Sequence, residues 1–198
     1  MGWTGPIVSW KSAPTRHSAT WHGPARAGRR GRGPALLLCA LVVCGAIGLS
    51  SRQAWADAFY DGLVAYNSRE YASAARIWRK LAQAGHAKAQ SSLGFLYVKG
   101  LGVRPDSAKA AHWFLRAATR GVVEAQMFLG VMHLSGDGVP KSPVLAYMWS
   151  DVAVSAGYAQ AIAFRAEVAR ELTAKQIDEA ERLSLDWRRL QAARPGPR

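Results

Sequence analysis

From His86 onward, apolar positions return with the period of a helix rather than alternating as in a strand. Ala89, Leu93, Leu96 and Tyr97 form one stripe, followed by Trp113; Ala125, Leu129 and Met132 form the next, followed by Trp149. The spacing predicts helices over His86–Lys99, Ser107–Arg120, Val122–Ser135 and Pro143–Ala156. Small residues fall where two backbones must approach, Ala89 with Gly94 and Ala125 with Gly130. A pair of such helices cannot cover its own apolar face, so neighbouring pairs must stack.

The stripes belong to a repeat. Ala89, Ala125 and Ala161 are each 36 residues apart. Gly94 and Gly130, Gly100 and Gly136, Gly102 and Gly138, and Trp113 and Trp149 keep the same step. The connectors "KGLGVRPDS" and "SGDGVPKSP" share Gly, Gly and Val, followed by Asp106 in one copy and Ser142 in the other. A phosphate loop needs its lysine and hydroxyl at fixed offsets, and a calcium loop needs several oxygen ligands. Neither set recurs. The glycines are therefore expected to end one helix in a left-handed turn. Asp106 and Ser142 would cap the next, with Pro143 at a first helical position.

The pattern A-x-x-x-L-G, then G-x-G-V, a capping residue, A-x-x-W and a closing Gly resembles the Sel1-like repeat of the tetratricopeptide α-solenoids. Ala89, Leu93, Gly94, Tyr97, Gly100, Gly102, Val103, Asp106, Trp113 and Gly121 carry it in one copy. Ala125, Leu129, Gly130, Gly136, Gly138, Val139, Ala146, Trp149 and Gly157 carry it in the next, which departs at His133 and Ser142, where Tyr and Asp are usual. Residues 57–85 resemble a tetratricopeptide-like opening hairpin, with Tyr66, Tyr71, Ala74 and Trp78 in packing positions. The resemblance implies an all-α chain, a short right-handed α-solenoid with a C-terminal capping helix. Its parts would be the opening hairpin 57–85, repeats 86–121 and 122–157, a partial repeat with its cap over 158–190, and a flexible tail 191–198. Thr173 and Gln176 have capping-box spacing at the start of that cap.

The segment before the repeats has a different character. Residues 1–56 hold seven of the chain's 26 Lys and Arg and none of its 13 Asp and Glu, so residues 57–198 keep 19 bases, 13 acids and a net +6. Arg26, Arg29, Arg30 and Arg32 precede the apolar run Ala35–Leu49, and Ala54-Trp55-Ala56 follows it. A basic flank, a short apolar run and a small-x-small site are the parts of a secretory signal, here with cleavage expected after Ala56. The run is shorter than the ~20 residues that cross a bilayer, so no stable transmembrane anchor is expected after cleavage. A periplasmic or secreted location follows. Cys39 and Cys44 both lie in the apolar run. Disulfides, cysteine-held zinc and thiol catalysis are thereby excluded from residues 57–198.

Catalytic constellations are missing from the pattern. His86, His112 and His133 form no i,i+4 pair of the zinc type. Ser135, Ser150 and Ser155 have no G-x-S-x-G context. Asp178 with Glu179, and Glu167 with Glu171, read as solvated helix faces. Catalytic residues, metal and cofactors are accordingly expected to be none. Trp113 and Trp149 share one repeat position, so a core role is expected for both. Nucleic-acid binding would need a basic stripe on a known module, and neither is evident. The modest positive charge favours acidic partners or anionic polysaccharide by steering.

In helical solenoids the first helices of successive repeats line a concave face. Phe95, Met127, Val131 and Leu134 are apolar there, where a solvated helix would carry charge. Exposed, they would mark a partner site; the alternative is burial against the adjacent helix. A groove this short suits a peptide or helix. The expected function is an exported, non-enzymatic protein–protein interaction scaffold. The alternatives are a cell-envelope enzyme acting on β-lactam or peptidoglycan, suggested by cysteine-rich relatives of the repeat family, and a polysaccharide-associated regulator or assembly factor.

Overall fold

Each helix begins and ends where the sequence supplies a reason. The computed structural model describes residues 55–194, in which eight helices and no strand occur. The expected signal through Ala54, and residues 195–198 of the tail, lie outside the described residues. Helix α1 covers 55–67. It is followed by α2 (Tyr71–Gln83), α3 (Ala87–Lys99), α4 (Ser107–Ala118), α5 (Val123–Ser135), α6 (Pro143–Ser155), α7 (Gln160–Ala169) and α8 (Ala174–Ala192). The expected junction between Ala56 and Asp57 lies in the first described turn of α1.

The caps follow the residue chemistry. Asp106 accepts from the Lys109 N–H at 2.8 Å, and Ser142 accepts from the Leu145 N–H at 3.2 Å. Each satisfies one of the free N–H groups of a first turn, worth about 1 kcal/mol. Gly100 and Gly136 end α3 and α5 with φ of 67° and 84°, a left-handed geometry that side chains oppose. Thr173 and Gln176 form the capping box that opens α8.

The second glycine of each connector has a further role. Gly102 and Gly138 also have positive φ, and a Cβ on either would overlap a backbone carbonyl, of Tyr71 and Ser107 respectively. Each loop thus lies against the first turn of the second helix of the preceding hairpin. The connectors join hairpins as well as turning the chain.

Packing runs in chain order. α2 packs on α3, α3 on α4, α4 on α5, α5 on α6, and α6 on both α7 and α8. One core gathers Ala74, Trp78 and Ala82 of α2 with Ala89, Leu93 and Leu96 of α3. A second gathers Phe114 of α4, Leu129 and Met132 of α5, Trp149 and Val152 of α6, Val168 of α7 and Ala180 of α8. Tyr97 packs against both. Gly94 lets the Phe114 ring approach so closely that a Cβ would lie 2.9 Å from it. The equivalent of Phe114 one repeat later is Ser150, and Phe164 of α7 supplies the ring against Gly130 instead.

The repeat-equivalent tryptophans do not share one environment. Trp149 is buried and meets Trp187 of α8 edge-on, with centroids 4.8 Å apart. Trp113 is only half-buried, and the Arg116 guanidinium lies 5.2 Å over its ring. Both tryptophans pack against a core, Trp113 at the edge of the first and Trp149 within the second, and α8 packs on α6. The tail also differs from expectation. α8 continues to Ala192, and Arg194 donates to the Thr119 carbonyl at 3.3 Å.

Candidate functional site

The odd-numbered helices are the first helices of their hairpins. Aromatic rings step across them. Tyr66 of α1 and Phe95 of α3 have centroids 6.5 Å apart, and Phe95 and Phe128 of α5 are 6.1 Å apart. These three helices are therefore neighbours along one face.

The four residues expected on that face separate in the structure. Met127 is 7% exposed and packs with Ala153 and Ala161, so its side chain supplies packing rather than surface. Phe95 is half-buried in the row of rings, with the Lys99 ammonium 5.9 Å over it. Leu134 is half-buried against the second core. Val131 is 36% exposed. Sequence reasoning missed more exposed apolar residues of the first helices, Tyr60 and Val64 at 60%, Val98 at 40% and Ile162 at 53%. Val98 holds the repeat position of Leu134, so the repeat did carry that signal. Tyr60 and Val64 escape it because α1 stands before the first full copy.

Ile162 shows where the repeat lapses. Gln90 and Gln126, 36 residues apart, are buried. Each donates through its Nε2 to a carbonyl at the end of the preceding helix, Ala82 at 3.0 Å and Ala118 at 3.4 Å. Those amides stitch one hairpin to the next. The third copy has Ile162 in that position, and α7 turns it outward.

A polar cluster fastens the other end. Asp151 is nearly buried on α6. It accepts from Ser184 Oγ at 2.6 Å, pairs with the Arg165 guanidinium, and has Arg188 Nη2 3.8 Å away. Tyr147 donates its hydroxyl to Glu181 at 3.1 Å. Burial raises the Tyr147 pKa above its ordinary value, and the bond to the Glu181 carboxylate adds to the rise. An open groove of 580 Å³ runs beside this cluster, lined by Asp151, Ser155, Asp178, Glu181, Arg182, Leu185 and Arg188. Both Asp151 oxygens are engaged by α7 and α8, so the carboxylate holds helices together. A general base would need an oxygen turned toward a substrate. The sequence hid this cluster because its members lie 14 and 33 residues from Asp151. A lone aspartate inside the apolar stretch of α6 was the available signal.

The histidines stay apart. His86 caps α3, its Nδ1 accepting from the Ala89 N–H at 3.1 Å, and stacks on Phe59 with centroids 5.0 Å apart. Burial, with the nearby Lys88 charge, holds its pKa below the ordinary value. His112 is exposed beside Trp113, and His133 Nδ1 lies 3.2 Å from the Pro140 carbonyl. Among the described residues, no three of His, Cys, Asp and Glu gather as metal ligands would.

Comparison with known proteins agrees with this architecture. A family model described as Sel1 repeat matches residues 87–122 and 123–158. A protective antigen present in uropathogenic Escherichia coli strains, its crystal structure described as displaying an SLR fold, is 29% identical with a TM-score of 0.65. The match covers 75% of this chain and 35% of that one. A Sel1 repeat protein from Oxalobacter formigenes is 27% identical with a TM-score of 0.54, over 65% of this chain and 55% of that one. The chain thus spans less than two thirds of either solved relative. No curated protein matches it.

Proposed function

We propose, from the premise that this chain carries two Sel1 repeats at residues 87–122 and 123–158, that it is an exported, non-enzymatic scaffold binding another protein on the face of α1, α3, α5 and α7. One observation carries the reading. Every odd-numbered helix of the stack exposes a large apolar side chain: Tyr60 and Val64, Val98, Val131, and Ile162. Among the described residues of the even-numbered helices, those of α2 and α6 expose none, α4 exposes Leu115 alone, and the capping helix α8 exposes Leu185 and Leu190. Burying the exposed halves of five such side chains offers roughly 5 kcal/mol, no more than the low end of the freedom lost on association. The face therefore suits a partner that adds polar contacts along its length, such as an amphipathic helix. The acid-free leader with its apolar run and Ala54-Trp55-Ala56 site supports export. The full engagement of Asp151 supports a role outside catalysis.

A photo-crosslinking residue placed at Val98, Val131 or Ile162 in the exporting cell tests the face. A discrete protein adduct is expected at those positions and none at Arg79 or Asp178. Equal labelling everywhere, or at Arg79 alone, overturns the assignment. N-terminal sequencing of the same material should begin at Asp57; a chain retained whole in the cytoplasm overturns export.

A further inference from the structure

Two of the second helices carry a different character. α2 bears Arg76, Arg79 and Lys80 and no acid; α4 bears Lys109, His112 and Arg116 and no acid, and Arg120 follows it. Lys109 is paired with Asp106 at 2.8 Å. Arg76, Arg79, Lys80, Arg116 and Arg120 have no carboxylate within ion-pair distance among the described residues. These five amount to nearly the whole net +6 of residues 57–198. Four of the five lie on α2 and α4, and Arg120 lies just after α4.

The repeat sets the bases of α2 and α4 in corresponding places. Lys80 and Arg116 are 36 residues apart and hold the same place on successive second helices. Arg120 reaches back to the α2–α3 turn, where its Nη2 lies 3.4 Å from the site of a Cβ on Gly85. Arg116 is stacked over Trp113, which holds its guanidinium at the surface. Leu115, beside Arg116, is 45% exposed.

We propose that the α2–α4 face is a peripheral docking surface for the anionic headgroups of a lipid membrane. Long basic side chains lay their stems on the surface and extend their charge toward phosphate. Each base near an anionic surface adds to affinity, and the effect fades with salt. The groove described above lies beside α6 and α8 rather than on this face. An exposed leucine amid the bases fits the boundary between headgroups and acyl chains. A soluble polyanion would leave that leucine in water. This surface lies on the second helices and the protein-binding face on the first, so the two inferences stand or fall separately.

The test uses the full chain with Cys39→Ser and Cys44→Ser, and an environment-sensitive fluorophore on Leu115→Cys. Its emission should shift to the blue with vesicles of phosphatidylcholine mixed with phosphatidylglycerol, and stay unchanged with phosphatidylcholine alone. The leader is common to every form, and the label reports only the α4 face. In the R76Q/R79Q/K80Q/R120Q background, the lipid concentration for half the shift should rise by about a hundredfold. R182Q/R189Q on α8 should leave it unchanged. Glutamine keeps helix propensity, and R76K/R79K/R120K, which keeps the charge, should keep the shift if the fold is intact. A label that stays water-like with the anionic vesicles, responds equally to neutral ones, or is indifferent to the glutamine substitutions overturns the proposal. So does a shift with soluble polyphosphate and none with vesicles.

Discussion

Single positions matter here through what touches them. Gly102 and Gly157 both have positive φ, 67° and 86°. A Cβ on Gly102 would overlap the Tyr71 backbone, while nothing lies within 4 Å of one on Gly157. Gly157→Ala should lose about 1 kcal/mol, the conformational penalty alone. Gly102→Ala should lose about 3 kcal/mol or more, because backbone must move. Chemical denaturation of both variants checks this, and equal losses would remove the second role of that glycine. His86 gives a pH dependence. Its folded pKa lies below the ordinary 6.5, so the unfolded chain binds the proton more readily. The stability it contributes is complete above that value and is lost as pH falls below it. A protonated Nδ1 also cannot accept the Ala89 N–H. The urea midpoint should drop between about pH 7 and pH 5. His86→Asn, which caps without titrating, should flatten that drop, and an unaltered slope would assign it elsewhere.

Among the elements, α6 and α4 show how one sequence slot acquires two energies. Trp149 lies between α6 and the capping helix, against Trp187. Trp113 lies half in solvent under Arg116. Trp149→Ala should cost about 3–5 kcal/mol and Trp113→Ala about 1–2 kcal/mol. Thermal unfolding of the two variants measures the gap. Identical losses would mean that the cap adds nothing to the Trp149 site. The same contrast explains Ser150 and Phe164. Where the chain has no aromatic ring at the Phe114 position, the next helix supplies one, and Gly130 still meets a ring.

At the scale of the molecule, hairpins pack mainly on their neighbours, so stability should be largely local along the stack. The Asp151 cluster joins α6, α7 and α8. Asp151→Asn removes the charge facing Arg165 and Arg188 and should loosen the capped end by about 2 kcal/mol. That is less than for a fully enclosed pair, because both guanidiniums reach solvent. Hydrogen exchange should quicken in α7 and α8 while α2 and α3 keep their protection. Uniform quickening would show one cooperative unit instead. The two faces follow from the same stacking. First helices align on one side and second helices on the other, so a partner and an anionic surface could be held at once.

The sequence by itself determined the repeat, the helix limits within a few residues, the caps at Asp106, Ser142 and Thr173, and the left-handed ends at Gly100 and Gly136. Those signals are local, since a cap or a turn acts within about four residues of backbone. Only the tertiary structure decided that Met127 is covered while Tyr60, Val64 and Ile162 are not, that Trp113 and Trp149 part company, and that Asp151 meets Ser184. Exposure depends on which helix lies over a side chain, and the covering helix comes from elsewhere in the chain. The charge balance obeyed the same division: the sequence shows α2 and α4 to be free of acids, and the structure shows which of their bases stay unpaired.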